Sequence, residues 1–413
     1  MHYKALKIVA IILFILVIIG ILAIALLFIM TNNKSISANN LAQTNEVQMS
    51  DNINEINEVE ENNEPNIEVS ENFLELKEIL EQTNTIPDYN LDFELPIQGA
   101  TGYASIQINI RKEASSSSSI VKKLDPGTGF EIIGESGNWL KIKKDDVTGW
   151  ANKLYCMINL PDIIPSIVYD DTNSYSSLFK SSEIDIPNVT GEQLYNNKVY
   201  NNRLSKNEYM MPVMYEMALK IMKAQELALE DGYSLKIYET YRPYEAQTTV
   251  STNLRNLMNS NKTVYEGING GGWNEGWFIA QVLSNHQKGI AMDVSLVKIN
   301  EYEVGKTGKY KYMIITDYTE EQMPTQMHEL SNKAISMSYA VDSNSKTAWE
   351  KVPLAQGMTD GAIRLRNYCV EADLTPLCSE WWHFNDLDAR ENLESNYSTG
   401  RYYITECYSS IPE

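Results

Sequence analysis

The chain is poor in the residues that dominate disulfide-stabilised proteins. Its 413 residues contain four cysteines, which is too few for a disulfide scaffold. None of them forms the CxxC pair typical of structural zinc sites, so a site of that kind is not expected. The cysteines are Cys156, Cys369, Cys378 and Cys407. Cys369 and Cys378 are the closest pair in sequence, but the sequence leaves open whether any of the four is oxidised.

Basic residues are also scarce. Lys and Arg number 34 against 55 Asp and Glu, a net charge of -21. Nucleic-acid binding requires a basic face, so we expect no nucleic-acid partner. Between Glu46 and Glu94, fifteen acids stand against Lys77 alone, a net charge of -14. This composition predicts that residues 35–98 are an acidic, largely disordered stalk, a solvated spacer with a binding segment as the alternative.

One long uncharged run precedes the stalk. Ile8 to Met30 are 23 residues without a charge, enough to cross a hydrocarbon core of ~30 Å. Lys4 and Lys7 precede the run, which indicates a cytoplasmic N-terminus and an extracellular catalytic part. We predict a single-pass membrane anchor in residues 1–34, with residues 8–30 as the span. The alternative is a cleaved signal peptide, although the run exceeds the usual ~7–15-residue signal core.

After the stalk come short β-rich runs separated by turn-forming residues. Segments such as INIR, GFEIIGE and WLKIKK are interrupted by SSSS, DPGTG and ESGN. Their order, with Trp139 and the pair Gly149-Trp150, resembles a bacterial SH3 domain over residues 99–158. The resemblance implies that this small all-β barrel holds an enzyme on the cell wall. A spacer barrel without a ligand is the alternative.

Histidine is as scarce as cysteine, and two of the four histidines lie in segments suited to one metal. His286 is followed seven positions later by Asp293 in SNHQKGIAMDVSL, and His383 follows Glu380 in EWWH. Two imidazoles and a carboxylate are a common ligand set for catalytic zinc, which leaves one position for water. Glu380 is then placed to act as the general base. For either segment alone, a core histidine beside an unrelated acid is the alternative.

A predicted helix and strand lead to a further candidate. Residues 211–231 carry an apolar stripe that ends before Gly232, and the strand SLKIYETYR follows. Pro243 places Arg242 at the strand end. There the guanidinium can bind a carboxylate or a developing oxyanion, or form an ion pair with Glu239 or Glu245.

Taken together, Arg242, SxHxxGxAxD and ExWWH resemble the zinc D-alanyl-D-alanine peptidases, the family of the vancomycin-resistance dipeptidases and carboxypeptidases. The resemblance covers residues 159–413 and implies a compact α+β domain with an antiparallel sheet. It implies one Zn²⁺, held by His286, Asp293 and His383. It further implies that Glu380 is the base, that Arg242 stabilises the transition state and that Ser284 lies near substrate.

One departure concerns substrate choice. His328, in MPTQMHELS, takes the place where dipeptidases carry an aspartate that meets the free amine. His328 is therefore a candidate substrate contact, with a supporting partner behind the site or a surface histidine as alternatives. The leading hypothesis is a membrane-anchored D,D-carboxypeptidase that cleaves D-Ala-D-Ala ends of peptidoglycan stem peptides. A D,D-dipeptidase acting on free D-Ala-D-Ala and a non-catalytic cell-wall-binding protein are the alternatives.

Overall fold

The computed structural model describes residues 93–413. The predicted membrane segment Ile8–Met30 and nearly all of the acidic stalk lie outside the described residues. Within 93–413, no helix is long and apolar enough to cross a membrane. The described part is a mixture of α-helices and mainly antiparallel sheets, so the predicted α+β class is confirmed.

The first seven strands form the predicted barrel. Alternating burial in β2 and β5 shows why these runs are strands, because every second side chain enters the barrel core. The strands are β1 Thr101–Ala104, β2 Ile108–Arg111, β3 Ile120–Leu124, β4 Gly129–Ser136, β5 Trp139–Lys144, β6 Val147–Asn152 and β7 Cys156–Asn159. A 3₁₀ turn, Lys153–Tyr155, separates β6 from β7.

The following segment contains short strands that lead into the first helix. They are β8 Val168–Tyr169, β9 Lys180–Ser181, β10 Ile184–Asp185, β11 Lys198–Asn201, β12 Lys206–Tyr209 and β13 Pro212–Met214. Strand β13 pairs with β7 and so extends the sheet of the barrel, which runs in the order β13-β7-β1-β4-β5-β6-β2-β3. The predicted division at residue 158 therefore falls within a β-sheet, and one hydrophobic core continues across it.

The helices surround a second sheet. They are α1 Tyr215–Glu230, α2 Tyr244–Ser260, α3 Lys262–Asn269, α4 Glu275–Phe278, α5 Asp360–Glu371 and α6 Leu387–Leu393. The α1 helix starts four residues after the predicted position, and Gly232 just beyond its end has φ +78°, as expected of a helix stop. Its apolar stripe is buried, so the methionines of this helix are core residues.

The second sheet carries the predicted functional segments. Its strands are β14 Tyr233–Glu239, β15 Ala291–Thr307, β16 Tyr310–Glu320, β17 Thr375–Leu377 and β18 Glu380–Asn385. The order is β17-β18-β15-β14-β8, with β16 paired to β15, and all neighbours are antiparallel except β14 and β8. Strand β14 is buried along its whole length, including the polar and charged residues Ser234, Lys236 and Glu239.

The last segment, residues 395–413, has no regular secondary structure and packs on both sheets. The ring of Tyr402 stacks on Tyr241 at 5.1 Å, and its hydroxyl donates to the carbonyl of Ser105. The backbone N–H of Ser410 donates to the carbonyl of Gly99 at 2.8 Å. This C-terminal strap therefore connects the barrel to the strand end that carries Arg242.

All four cysteines are free thiols. Three of them are buried. Cys378 lies against the sulfur of Met337 and does not bond to Cys369. A bridge between Cys369 and Cys378 is thus absent, and the segment before Glu380 is held by core packing instead.

Candidate active site

Two neighbouring strands bring the separated motifs together. Asp293 of β15 and His383 of β18 are direct partners in the antiparallel register. Residues that face each other in this way have Cβ atoms ~4.5–5.5 Å apart on the same face of the sheet. The sheet therefore places a carboxylate and an imidazole side by side, although 90 residues separate them in the chain.

His286 reaches the same place from a tight turn. The N–H of Gly289 donates to the carbonyl of His286, and Gly289 has φ +71°, which returns the chain into β15. A Cβ at Gly289 would lie 2.9 Å from the sulfur of Met157 in the barrel sheet. The backbone at Gly289 therefore passes close to strand β7.

The three predicted ligand atoms form a small triangle. Nδ1 of His383 lies 3.0 Å from Oδ1 of Asp293 and 3.2 Å from Nε2 of His286, and the third side is 3.3 Å. Ligands at ~2.0–2.1 Å in a tetrahedron are about 3.3 Å apart. All three residues are buried. The triangle has the size that a tetrahedral metal requires.

Hydrogen bonds hold both imidazoles in the tautomer that metal binding needs. Nδ1 of His286 donates to the carbonyl of Thr240 at 2.6 Å, and Nε2 of His383 donates to Oδ1 of Asn385 at 3.0 Å. In neutral rings the two remaining nitrogens are lone-pair acceptors, and these nitrogens face each other. A cation between them relieves the repulsion, so the residues present fit a metal.

The two carboxylate oxygens of Asp293 have different partners. Oδ1 belongs to the ligand triangle, and Oδ2 contacts side chains behind it. Oδ2 accepts hydrogen bonds from Nη2 of Arg242 at 3.0 Å and from Nε2 of His328 at 3.1 Å. Burial by itself would raise the pKa of Asp293, but His286 and the hydrogen bonds hold that pKa well below its usual range. The carboxylate is therefore ionised and held in a fixed orientation.

Glu380 stands at the edge of the triangle. Its Oε2 is 3.7 Å from Nδ1 of His383, and the side chain is buried. Burial raises the pKa of Glu380 to about 8, and His383 opposes the shift. A carboxyl group that titrates near neutrality and lies beside a metal position is suited to proton transfer.

Arg242 is buried, and most of its donors are already used. Its Nε and Nη2 bind Glu239, Nη2 also binds Asp293, and Nη1 donates to Gln247. Four of the five guanidinium N–H groups are thus engaged with these side chains. Arg242 also lines the cavity. The alternative of an ion pair with Glu239 is present, but in the core rather than at the surface.

The two candidate substrate contacts have different positions. Ser284 lines the cavity, and its hydroxyl accepts the N–H of His286 at 3.2 Å. His328 is fully buried behind Asp293 and stacks on Phe179 at 4.2 Å. Its position fits the alternative of a partner that supports the site, because the ring contacts Asp293 and does not line the cavity.

The cavity beside the triangle has a volume of about 220 Å³. One part of its wall is apolar and includes Trp277, Leu283 and Trp382. Another part is polar and includes Lys288, Asn344 and Arg390. Trp382 lies inside the EWWH motif, whereas Lys288 and Arg390 were not among the predicted site residues.

Other residues of the site were also missed. Asn385 lies two positions after His383, so the alternation of a strand would have placed it on the same face. Glu239 precedes Arg242 by three positions and was considered only as a surface partner. A second group of potential ligands, Glu239, Asp293 and His328, shares Asp293, but the Arg242 guanidinium already bridges its two carboxylates.

Comparison with known proteins agrees with this geometry. Residues 174–401, more than half of the chain, match the sequence model of the M15 peptidase family described as D-Ala-D-Ala dipeptidase. Residues 106–155 match the bacterial SH3 domain. No curated protein matches the chain. The chain therefore belongs to the M15 D-Ala-D-Ala dipeptidase family of peptidases and carries a bacterial SH3 domain in front of the peptidase part.

Proposed function

We propose that the protein is a zinc D,D-carboxypeptidase that removes the terminal D-Ala from peptidoglycan stem peptides. The observation that carries the proposal is the triangle of His286, Asp293 and His383, whose ligand atoms lie 3.0–3.3 Å apart beside Glu380. Two histidines and one carboxylate favour zinc over the oxygen-seeking divalent cations. When bound, zinc supplies a Lewis acid that polarises a carbonyl and makes water more acidic.

The residues of the chain divide the remaining tasks. Glu380 accepts the proton of the attacking water and transfers it to the leaving amine. Arg242 lines the cavity, and its guanidinium stabilises the negative charge that develops on the carbonyl oxygen. Trp382 limits the access of water, and Asn385 and Thr240 keep the two imidazoles in orientation.

The choice of a carboxypeptidase rests on location. The uncharged run at Ile8–Met30 supports a membrane anchor with the peptidase part outside the cell. Peptidoglycan stems with D-Ala-D-Ala ends are found there. In this proposal the barrel of residues 99–158 keeps the enzyme on the cell wall.

A D,D-dipeptidase is the second candidate, and the description of the matching family favours it. The two activities separate in one assay. The purified full chain is incubated with a stem pentapeptide and with free D-Ala-D-Ala, and released D-Ala is measured. A carboxypeptidase releases D-Ala from the pentapeptide, whereas preference for the dipeptide would replace the proposal by the second candidate.

The mechanism has its own test. Glu380→Gln should abolish turnover, while the purified variant retains one equivalent of zinc, and a chelator should inactivate the parent reversibly. The matched control is Glu266→Gln, because Glu266 is exposed on α3. Full activity of Glu380→Gln would disprove the mechanism. A parent chain without stoichiometric zinc and without turnover would favour a non-catalytic cell-wall-binding protein.

A further inference from the structure

Lys288 is a buried cation without an acidic partner. The residue is 6% exposed and lines the same cavity as the metal ligands. Its Nζ donates to Oδ1 of Asn285 at 3.0 Å and lies 4.6 Å from the centre of the Tyr397 ring. Among residues 93–413, no carboxylate lies within 4.0 Å of this ammonium group. Burial of an unpaired charge is costly, so such a group calls for a counter-charge.

Arg390 adds a second cation to the same part of the cavity wall. It projects from α6, and its Nη1 donates to the side-chain oxygen of Asn344. The acids nearest to it in the chain are engaged elsewhere. Asp386 and Asp388 bind Lys220, and Glu391 binds Lys346. Within the described part of the chain, the Arg390 guanidinium has no salt bridge either.

The acids of the cavity do not neutralise this pair. Asp293 and Glu380 are the cavity-lining acids. Asp293 belongs to the ligand triangle, and Oε2 of Glu380 lies 3.7 Å from Nδ1 of His383. The remaining cation, Arg242, is balanced by Glu239. Lys288 and Arg390 therefore leave a local excess of positive charge in a chain whose net charge is -21.

Hydrogen bonds connect this cationic wall to the metal position. Asn385 accepts from His383 at 3.0 Å and from Asn285 at 2.8 Å, and Asn285 in turn accepts from Lys288. Lys288 and His383 are therefore linked through Asn285 and Asn385, so a ligand group that binds Lys288 lies on the same side of the cavity as His383. Lys288, Arg390 and the three predicted ligands line one cavity.

We propose that Lys288 and Arg390 form a subsite for a carboxylate of the substrate. The carboxylate comes either from the C-terminus, one residue beyond the scissile amide, or from an acidic side chain upstream of that amide. Both sources supply the same chemistry, two oxygens that pair with an ammonium and a guanidinium. This assignment rests on the proposed peptidase function, because that function brings a peptide end into the cavity.

Equilibrium binding tests the subsite without turnover. The full chain with Glu380→Gln, loaded with zinc, is titrated by calorimetry with three peptides. The first is acetyl-D-Ala-D-Ala as the free acid, the second is its C-terminal amide, and the third is an amidated peptide whose one carboxylate is an upstream side chain. A terminal source predicts that the first peptide binds roughly 10- to 100-fold more tightly than the second. If the carboxylate comes from a side chain, the third peptide should instead bind roughly 10- to 100-fold more tightly than the second.

Variants then assign the effect to the two cations. Lys288→Met keeps the length of the side chain and should remove most of the advantage of the preferred peptide, while Lys288→Arg retains it. Arg390→Gln tests the same subsite at a partly exposed residue, so the test does not depend on correct folding of the Lys288 variants. The matched control is Lys223→Met, because Lys223 is exposed on α1 away from the cavity. If adding Lys288→Met to the Glu380→Gln chain left its affinity for every peptide unchanged, the proposed subsite would be overturned.

The outcomes also separate the subsite from the proposed function. If the parent hydrolyses the acid and the amide alike and Lys288→Met changes neither, the peptidase stands and the subsite is wrong. If the parent hydrolyses no peptide, but Glu380→Gln still distinguishes acid from amide through Lys288, the subsite stands and the proposed reaction is wrong.

Discussion

The buried pair of Glu239 and Arg242 yields a prediction whose size follows from the structure. Oε2 of Glu239 accepts from Nε of Arg242 at 2.7 Å, and Oε1 accepts from Asn173 at 2.9 Å and from Tyr195 at 2.5 Å. The Glu239 side chain is fully buried. Burial by itself would raise its pKa, but Arg242 holds that pKa below the ordinary value.

Glu239→Gln removes the charge and retains the shape. Both oxygens of Glu239 accept hydrogen bonds, whereas the glutamine amide has one oxygen and one NH₂ group. In one orientation the NH₂ group meets the donors of Arg242, and in the other it meets those of Asn173 and Tyr195. Loss of one partner from a buried ion pair costs about 3–5 kcal/mol. This is a large part of the ~5–15 kcal/mol that stabilises a typical domain.

The assay is urea unfolding of the full chain in excess chelator, so that metal affinity does not contribute to the difference. Glu239→Gln should lower the free energy of unfolding by about 3–5 kcal/mol. The control is Glu266→Gln, whose partner Lys262 is 3.5 Å away and whose side chain is 64% exposed. An exposed pair contributes about 0–1 kcal/mol. Equal effects of the two substitutions would refute the reasoning.

A double-substitution cycle sharpens the test. Arg242→Met removes the guanidinium and leaves Glu239 as a buried acid without its partner. The combined variant removes both charges, so it should be more stable than the sum of the two single effects predicts, by at least about 1 kcal/mol. Strict additivity would mean that the two groups do not interact in solution.

Three further predictions concern the surroundings of the site. His328→Leu removes the hydrogen bond to Asp293 and should weaken zinc binding about 10- to 100-fold in competition with a chromophoric chelator, whereas unchanged affinity would mean that His328 does not orient Asp293. Gly289→Ala places a Cβ at φ +71° near the Met157 sulfur and should lower stability by about 1–3 kcal/mol in urea; an unchanged midpoint would contradict this. Burial raises the pKa of Glu94 to about 7, so the folded state binds more protons than the unfolded state above the ordinary Glu value. Stability should therefore fall by about 1–3 kcal/mol as the pH rises towards 7, and Glu94→Gln should flatten this slope, whereas equal slopes in parent and variant would exclude Glu94.

Most of the site could be predicted because short segments carry it. Ser284, His286 and Asp293 lie within ten residues, and Glu380 and His383 lie within four, so strand and turn geometry preserve their spacing. The turn at Gly289 follows from the same local argument. Arg242 was identified from Pro243, which follows it directly, but the strand itself ends at Glu239, three residues before Arg242.

The partners behind these residues could not be predicted in the same way. The sequence predicts His328 as a candidate substrate contact. The structure places it behind Asp293, bonded to Oδ2, while Oδ1 faces the ligand triangle. Its neighbour in space lies 35 positions away. The side-chain periods of strands and helices relate residues a few positions apart, so they do not indicate a contact between Asp293 and His328.

The barrel shows the same division. Alternating segments and turn residues identified its strands, and the bacterial SH3 match confirms them. Its edge, however, pairs with β13 from residues 212–214, and the C-terminal strap closes over it. Both contacts join segments that are far apart in sequence, so neither the alternation nor the turns could indicate them.

By itself, the sequence indicated the family, the barrel strands and the candidate site residues His286, Asp293, Glu380 and His383, because each motif depends on residues a few positions apart. The tertiary structure alone decided that Arg242 pairs with Glu239 and that His328 contacts Asp293. It also decided that Lys288 and Arg390 have no acidic partner among residues 93–413. Charge pairing depends on distances of a few ångströms between distant segments. Those distances exist once the strands have paired and the core has closed around them.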